Sequence, residues 1–196
     1  EKAENEFKLD FSGKACLDIG ASTGGFTDFM LKGGAEKVFA VDVGHGQLAE
    51  ALCKNSKVVN FEGTDIRNVT IDIFDGYVDF ICADVSFISL KKILPKIYEL
   101  LKADACAVVL IKPQFEAGRG NIGKHGIVRD KKVHERILRE IDLFAVELGF
   151  FTEKYTFSPI KGGSGNIEYL AKICKNCLPQ QIHDFRGLVE EAFNQL

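Results

Sequence analysis

The chain has 196 residues, of which 46% are hydrophobic and 27% charged, a balance typical of one soluble globular domain. A formal net charge of −3 gives no overall positive field for a nucleic acid, although a local basic patch can still bind one. No apolar run approaches the roughly 20 residues of a membrane span, and the charged opening EKAENEFKLD is unlike a signal peptide, so we expect no membrane association.

Short apolar runs alternate along the chain with amphipathic stretches of helical length. Strands are predicted near residues 15–19, 37–42, 57–61, 78–83, 105–112, 151–157 and 167–173. Helices are predicted near residues 23–33, 46–53, 90–102, 131–148 and 180–194. The last helix has an apolar side formed by Ile182, Phe185, Leu188, Val189 and Phe193. This alternation predicts a single doubly wound α/β domain over residues 1–196, with helices on both faces of a mostly parallel sheet.

A glycine-rich turn follows the first predicted strand in CLDIGASTGGFTDF. Its spacing, Gly20-x-x-x-Gly24, does not match the G-x-G-x-x-G fingerprint of dinucleotide enzymes, which disfavours an NAD-dependent oxidoreductase. An acid before the first glycine is instead typical of S-adenosylmethionine sites in Rossmann-like methyltransferases. The turn therefore predicts that S-adenosylmethionine is bound by Gly20, Ser22, Thr23, Gly24, Gly25 and Phe26.

Acidic residues occur in or just after four successive predicted strands, which places them at one edge of the sheet. We expect Asp18 near the amino-acid end of the cofactor, Asp42 at the ribose hydroxyls and Asp65 at the adenine amino group. Asp84 follows the fourth strand at the same edge. Two apolar neighbours of these acids, Val43 and Ile66, complete the predicted cofactor site.

A lysine ends the fifth predicted strand, AVVLIK, at that edge. Transfer of a methyl group from a sulfonium to a hydroxyl requires an in-line acceptor and removal of its proton. Lys112 can accept that proton if burial or a nearby cation lowers its pKa. It is therefore our candidate base.

Two glycine-rich loops, 113–130 and 158–166, interrupt the alternation of strands and helices. They carry the basic residues that we predict to contact RNA phosphates, namely Arg119, Lys124, Arg129 and Lys161. Phe87 and Phe115 lie near the same edge and could stack on a base, although we expect Phe87 to be a core residue.

The cysteines are interpreted as free thiols, which predicts a reducing, cytoplasmic environment. Cys16, Cys82 and Cys106 lie inside apolar strands, where cysteine behaves as a small core residue. Cys174 and Cys177 form CKNC, which is either a redox pair, half a zinc site or two thiols at the end of a strand. We favour two thiols and expect no metal, because no second pair of ligands is present.

Several segments together resemble the haemolysin A/TlyA family: DIGASTGGFTDFML, AVDVGHGQL, ADVSFISL, IKPQFEAGR, GIVRD and SPIKGGSGNIEYL. Its members carry an FtsJ-like ribosomal RNA 2′-O-methyltransferase domain, with a seven-stranded Rossmann-like fold, preceded by an S4-type RNA-binding domain. The resemblance implies a Lys-Asp-Lys-Glu catalytic set in which Asp84, Lys112 and Glu168 are the last three members. It places the first lysine upstream, in a segment similar to Ser-Arg-Gly-x-x-Lys-Leu, and residues 1–3 are similar to the positions just after that segment.

The favoured hypothesis is an S-adenosylmethionine-dependent methyltransferase of ribosomal RNA, with the ribosomal subunit as partner. One alternative is a methyltransferase that acts on a substrate other than RNA. The other is a catalytically silent module that binds RNA or the ribosome.

Overall fold

A seven-stranded sheet forms the centre of the protein in a computed structural model that describes residues 2–176 and 181–196. The strands are Ala15–Ile19 (β1), Lys37–Asp42 (β2), Val58–Glu62 (β3), Val78–Ala83 (β4), Leu101–Ile111 (β5), Phe150–Phe157 (β6) and Tyr169–Lys175 (β7). They lie in the order β3-β2-β1-β4-β5-β7-β6, and β7 alone runs antiparallel to its neighbours. The predicted doubly wound, mostly parallel sheet is confirmed.

Helices cover both faces of the sheet. The α-helices are Lys2–Phe7 (α1), Gly25–Lys32 (α2), Glu50–Cys53 (α3), Leu94–Leu100 (α4), Pro113–Glu116 (α5), Lys131–Glu147 (α6) and Phe185–Gln195 (α7). Short 3₁₀ turns occur at Ile66–Asn68, Ile71–Phe74, Leu90–Lys92, Arg119–Asn121 and Lys124–Gly126. Within the described ranges, no helix has the length and apolar character needed to cross a bilayer.

Several helix boundaries differ from the prediction, and two of the differences have a clear physical cause. Residues 101–102 belong to β5 rather than to the preceding helix, because Leu101 is buried and pairs with Val78 of β4. Ile182 is fully exposed and lies before α7, although its spacing predicted the apolar face of that helix. The helix begins later because the Asp184 carboxylate accepts a hydrogen bond from the Gly187 N–H at 2.9 Å and caps it.

Consecutive residues of the central strands point to opposite faces of the sheet, and both faces are buried. Leu17 packs on the face covered by α4 and α6, and its neighbour Cys16 packs with Phe11 and Met30 on the other face. Each large apolar side chain buried in this way contributes about 1.5–3 kcal/mol to folding. The two-sided core explains why these strands are nearly continuous apolar runs.

The reversed direction of β7 shapes the carboxyl edge of the parallel strands. Ile111, at the end of β5, pairs with Tyr169, at the start of β7. The residues just outside this pair, Lys112 and Glu168, therefore emerge side by side at the same edge. Lys112 and Glu168 are thus brought together at this edge although they are far apart in the sequence.

A disulfide joins Cys106 of β5 to Cys174 of β7, which face each other in the strand pairing. The prediction of free thiols throughout is therefore wrong for this pair, although Cys16, Cys53 and Cys82 are free. The error arose because the two residues are 68 positions apart and only the β5–β7 register brings them together. Cys177, the other cysteine of CKNC, lies outside the described residues.

Reduction of this disulfide is expected to lower the thermal unfolding midpoint of the protein. Closure of a long loop in the unfolded chain by a disulfide contributes typically about 2–4 kcal/mol to stability. Calorimetric scans with and without reductant measure this effect. A Cys106→Ala, Cys174→Ala variant should no longer respond to reductant, whereas Cys53→Ala should respond as the wild type does. An equal response of all three proteins would contradict the assignment.

Candidate active site

A cleft of about 780 Å³ opens at the carboxyl edge of strands β1 to β5. Eight of the predicted site residues line it: Gly20, Ser22, Asp42, Val43, Asp65, Ile66, Asp84 and Lys112. Other lining residues were not predicted, among them Gln47, Thr64, Arg67, Ser86, Phe87 and Lys92. Asp18, Thr23, Gly24, Gly25, Phe26 and Glu168 do not line it.

The glycine-rich turn owes its residues partly to packing against the protein itself. Gly20 has a φ of 83°, and a Cβ there would collide with the carbonyl oxygen of Asp84. Gly24 has a φ of 95°, and a Cβ there would collide with Leu52. Helix α2 therefore begins at Gly25, two residues later than predicted. Gly20 is the glycine that brings the backbone to the cleft.

Asp18 is completely buried behind this turn. One carboxyl oxygen accepts a hydrogen bond from the Thr27 hydroxyl at 2.7 Å, and the other has no partner among the described residues. The pKa of Asp18 is raised to about 7, chiefly by burial and to a smaller extent by the nearby Asp84 and Asp42 carboxylates, against the lowering effect of Thr27. Its predicted contact with the cofactor stays a prediction.

Asp42 fixes the two backbone turns that form the floor of the cleft. Its carboxylate accepts hydrogen bonds from the Ser22 N–H at 2.8 Å and from the Gly44 N–H at 2.7 Å. Glu62 has a similar role that the sequence analysis missed, since it accepts from the N–H groups of Gln47 and Leu48. Those donors lower the pKa of Glu62 to about 2. Its place at the end of β3 was the available signal.

Asp65 is paired with an arginine at the mouth of the cleft. Its carboxylate accepts hydrogen bonds from the Arg67 backbone N–H at 3.0 Å and from the Arg67 guanidinium at 2.5 Å. Hydrogen bonds from the Arg67 side chain lower the pKa of Asp65. A cofactor that reaches Asp65 would share this carboxylate with Arg67, an arrangement that the sequence did not indicate.

The ends of β4 and β5 are joined by an ion pair. The Lys112 Nζ lies 2.5 Å from Asp84 Oδ1 and donates to the Ser86 hydroxyl at 3.0 Å. Only 13% of the Lys112 side chain is exposed. The pair is therefore a partly enclosed cation and anion at the end of the cleft.

Glu168 completes the predicted catalytic set. It is buried, and its Oε1 accepts a hydrogen bond from the Gln114 Nε2 at 2.9 Å. Burial raises the pKa of Glu168, Gln114 and the positive charge of Lys112 oppose that rise, and Asp84 adds to it. All three groups thus act electrostatically on Glu168.

Phe87 does not lie in the core, contrary to the prediction. It is 92% exposed and lines the cleft. Its φ of 62° is unusual for a residue with a large side chain. Its ring centre lies 5.1 Å from that of Phe115. The left-handed backbone turns the ring outwards, and no local sequence pattern signals that conformation.

The two glycine-rich loops are held together by a buried asparagine, Asn166. Its side chain accepts a hydrogen bond from the Val128 N–H at 3.0 Å and donates to the Gly126 carbonyl at 2.9 Å. The predicted RNA-binding residues of these loops, Arg119, Lys124, Arg129 and Lys161, are all exposed.

The sequence model of the FtsJ-like methyltransferase family matches residues 1–175 of this chain. This chain belongs to that family. It is 48% identical over 172 residues to hemolysin A of Brachyspira hyodysenteriae, a match that covers 87% of this chain and 72% of that protein. It is 44% identical over 163 residues to the 16S/23S rRNA (cytidine-2′-O)-methyltransferase TlyA of Mycobacterium tuberculosis, covering 83% of this chain and 61% of TlyA.

Solved structures agree with this family assignment. A structure from Streptococcus thermophilus, designated a hemolysin, has a TM-score of 0.94 and 44% identity, covering 99% of this chain and 71% of that one. A methyltransferase structure from Listeria monocytogenes has a TM-score of 0.63 at 19% identity, covering 89% and 98% of the two chains, and shows the fold alone. The resemblance seen in the sequence is confirmed.

S-adenosylmethionine is the methyl donor of this FtsJ-like domain. The cleft suits such a molecule, because its volume is that of a ligand pocket and its walls combine apolar and acidic groups. Val43, with 70% of its surface exposed, and Ile66 offer apolar contacts. Asp42 and Asp65 offer hydrogen-bond acceptors beside them.

The buried Asp18 predicts a pH dependence of stability in the FtsJ-like domain. Its pKa is higher in the folded protein than in the unfolded chain, because the folded protein favours the protonated carboxyl. The contribution of this group to the free energy of unfolding is therefore fully present below about pH 4. That contribution is lost as the pH rises towards about 7. Asp18→Asn should therefore gain stability relative to wild type over this interval, as measured by urea unfolding at several pH values. A constant difference across the interval would contradict the raised pKa.

Proposed function

We propose that this domain transfers a methyl group from S-adenosylmethionine to the ribose 2′-hydroxyl of ribosomal RNA. The observation that carries the proposal is the meeting of three groups: Asp84 and Lys112 form an ion pair in the wall of the cleft, and both act electrostatically on the buried Glu168. The name of TlyA, a cytidine-2′-O-methyltransferase of 16S and 23S rRNA, supports the choice of acceptor. An intact set of these three residues disfavours a catalytically silent binding module.

The cofactor would be held by Gly20, Asp42, Val43, Asp65 and Ile66, which line the cleft. When bound, S-adenosylmethionine supplies a methyl group on a sulfonium that leaves as a neutral thioether. Fixing the acceptor in line with that group can supply roughly 7–11 kcal/mol of the barrier reduction. Binding and orientation are therefore the main tasks of the cleft.

Lys112 would accept the proton of the 2′-hydroxyl as the oxygen is methylated. It can do so only as the neutral amine, so the proton that it carries in the ion pair with Asp84 must leave first. Asp84 and Glu168 would orient Lys112 and the hydroxyl. Proton removal by a positioned base contributes typically about 10²–10⁴-fold to the rate.

The RNA backbone would lie over the loops at the edge of the sheet. Arg119, Lys124, Arg129 and Lys161 form no ion pair with any residue of the described ranges. The exposed Lys92 in the cleft wall shares this property. Free cations of this kind suit phosphate contacts, which position RNA without reading its sequence.

Phe87 would stack on the base of the acceptor nucleotide. Its ring is exposed, lies in the cleft wall beside Ser86, and is supported by Phe115. Recognition of RNA commonly splays out a base and stacks it on an aromatic side chain. This contact would hold the ribose of that nucleotide near Lys112.

The partner and the setting belong to the same proposal. We place the domain in the cytoplasm, on ribosomal RNA within a ribosomal subunit, with an S4-type RNA-binding domain preceding it in the whole protein. The match to TlyA spans 61% of that relative, so the activity is best tested in the whole protein. A reducing cytoplasm disfavours the Cys106–Cys174 disulfide, which makes the stability of the reduced protein relevant there.

Lys112→Met is expected to abolish methyl transfer to unmodified 16S and 23S RNA, while the affinity for S-adenosylmethionine stays within a few-fold. Asp42→Asn should instead weaken cofactor binding, because Asp42 fixes the turns of the cleft. Tritium incorporation measures transfer, and calorimetric titration measures binding. Lys102→Met is a matched control, since Lys102 pairs with Asp79 at 2.6 Å between the other ends of β4 and β5. A wild-type rate in Lys112→Met would exclude this lysine as the base.

Phe87→Ala is expected to raise the KM for RNA about 5- to 150-fold, because stacking on one base contributes about 1–3 kcal/mol. Cofactor affinity should change little. Tyr77→Ala provides a control, since Tyr77 is also exposed (56%) but lies before β4, at the opposite edge of the sheet. Equal KM values for the two variants would argue against stacking by Phe87.

A further inference from the structure

The short helix α5 contacts the other segments that carry the candidate catalytic residues. Its sequence, PQFE, directly follows Lys112, whose carbonyl accepts the Phe115 N–H at 3.0 Å. Glu116 accepts hydrogen bonds from the Ser89 hydroxyl at 2.7 Å and from the Leu90 N–H at 2.6 Å. These bonds connect α5 to the segment after β4, which carries Asp84. The helix therefore has a fixed position relative to both members of the ion pair.

Gln114 extends this frame to Glu168. The carboxylate can only accept hydrogen bonds when ionised, so the amide nitrogen of Gln114 must be the group that faces it at 2.9 Å. On another side, a Cβ at Gly162 would collide with the same carboxylate. Glu168 is thus confined between an amide donor and a close backbone segment.

The charges that act on Glu168 come from the ends of two strands. Lys112, after β5, favours the ionised carboxylate, and Asp84, after β4, disfavours it. Gln114 carries no charge, but its hydrogen bond also favours the ionised form of Glu168. Removal of Gln114 leaves the attraction of Lys112 to oppose both burial and Asp84.

We propose that Gln114 is a positioning residue for methyl transfer, because its amide nitrogen holds the Glu168 carboxylate in one orientation beside the Asp84–Lys112 pair. The inference rests on the proposed function only for its effect on the rate. The contact itself can be measured without catalysis.

The first test is a ¹³C NMR titration of the glutamate carboxyls, in which Glu168→Gln identifies the Glu168 signal. Gln114→Met should raise the pKa of Glu168 by about one to two units, because the ionised carboxylate loses a hydrogen bond. Gln114→Glu, which keeps the size of the side chain, should also raise it, because two carboxyls then face each other.

The second test follows kcat against pH in the whole protein. In Gln114→Met and Gln114→Glu, the fall of kcat at low pH should move to higher pH by the same amount as the Glu168 pKa. The KM for S-adenosylmethionine should stay within twofold of wild type. Gln195→Met is the matched control, because Gln195 donates to Glu191 at the same 2.9 Å on the exposed surface of α7.

The outcomes separate the two proposals. An unchanged Glu168 titration in both Gln114 variants would overturn the positioning role, as would a shifted titration with an unmoved kcat profile. No transfer by the wild type would count against the proposed function, and the titration alone would then decide the role of Gln114 at Glu168.

Discussion

The contact between Lys112 and Asp84 is the constraint on which the rest of the site depends. A cation and an anion can lie this close, largely shielded from water, only if neighbouring strands end at matching heights. The parallel register of β4 and β5 meets this requirement, and Ser86 provides a further acceptor for the ammonium. The core beneath these strands therefore determines the geometry of the chemistry above it.

In the function that we propose, cofactor and acceptor would meet at this pair from two sides. The turns fixed by Asp42 and Glu62 shape the side to which we assign S-adenosylmethionine. On the other side, Glu168 and the loops joined by Asn166 form the surface to which we assign RNA. Hydrogen bonds join these elements, so a change in one loop can alter the position of another.

Much of the fold could be predicted from the sequence because two-sided burial leaves a clear apolar pattern in each strand. Asp42 could be placed for the same reason, since it ends such a strand. Phe87 could not, because its left-handed backbone belongs to a turn that Glu116 fixes from another segment. The Cys106–Cys174 bond and the Gln114–Glu168 contact likewise depend on β7 lying beside β5, which local patterns do not encode.

The place of β7 has a consequence for the order in which the protein is made. It is the last of the seven strands in the described ranges, yet it lies between β5 and β6. A nascent chain that ends before Glu168 therefore has two unpaired strand edges and lacks one of the three candidate catalytic residues. Insertion of an internal strand after the other six couples completion of the sheet to completion of the candidate site, so a product truncated before β7 should neither fold fully nor carry out the proposed methyl transfer.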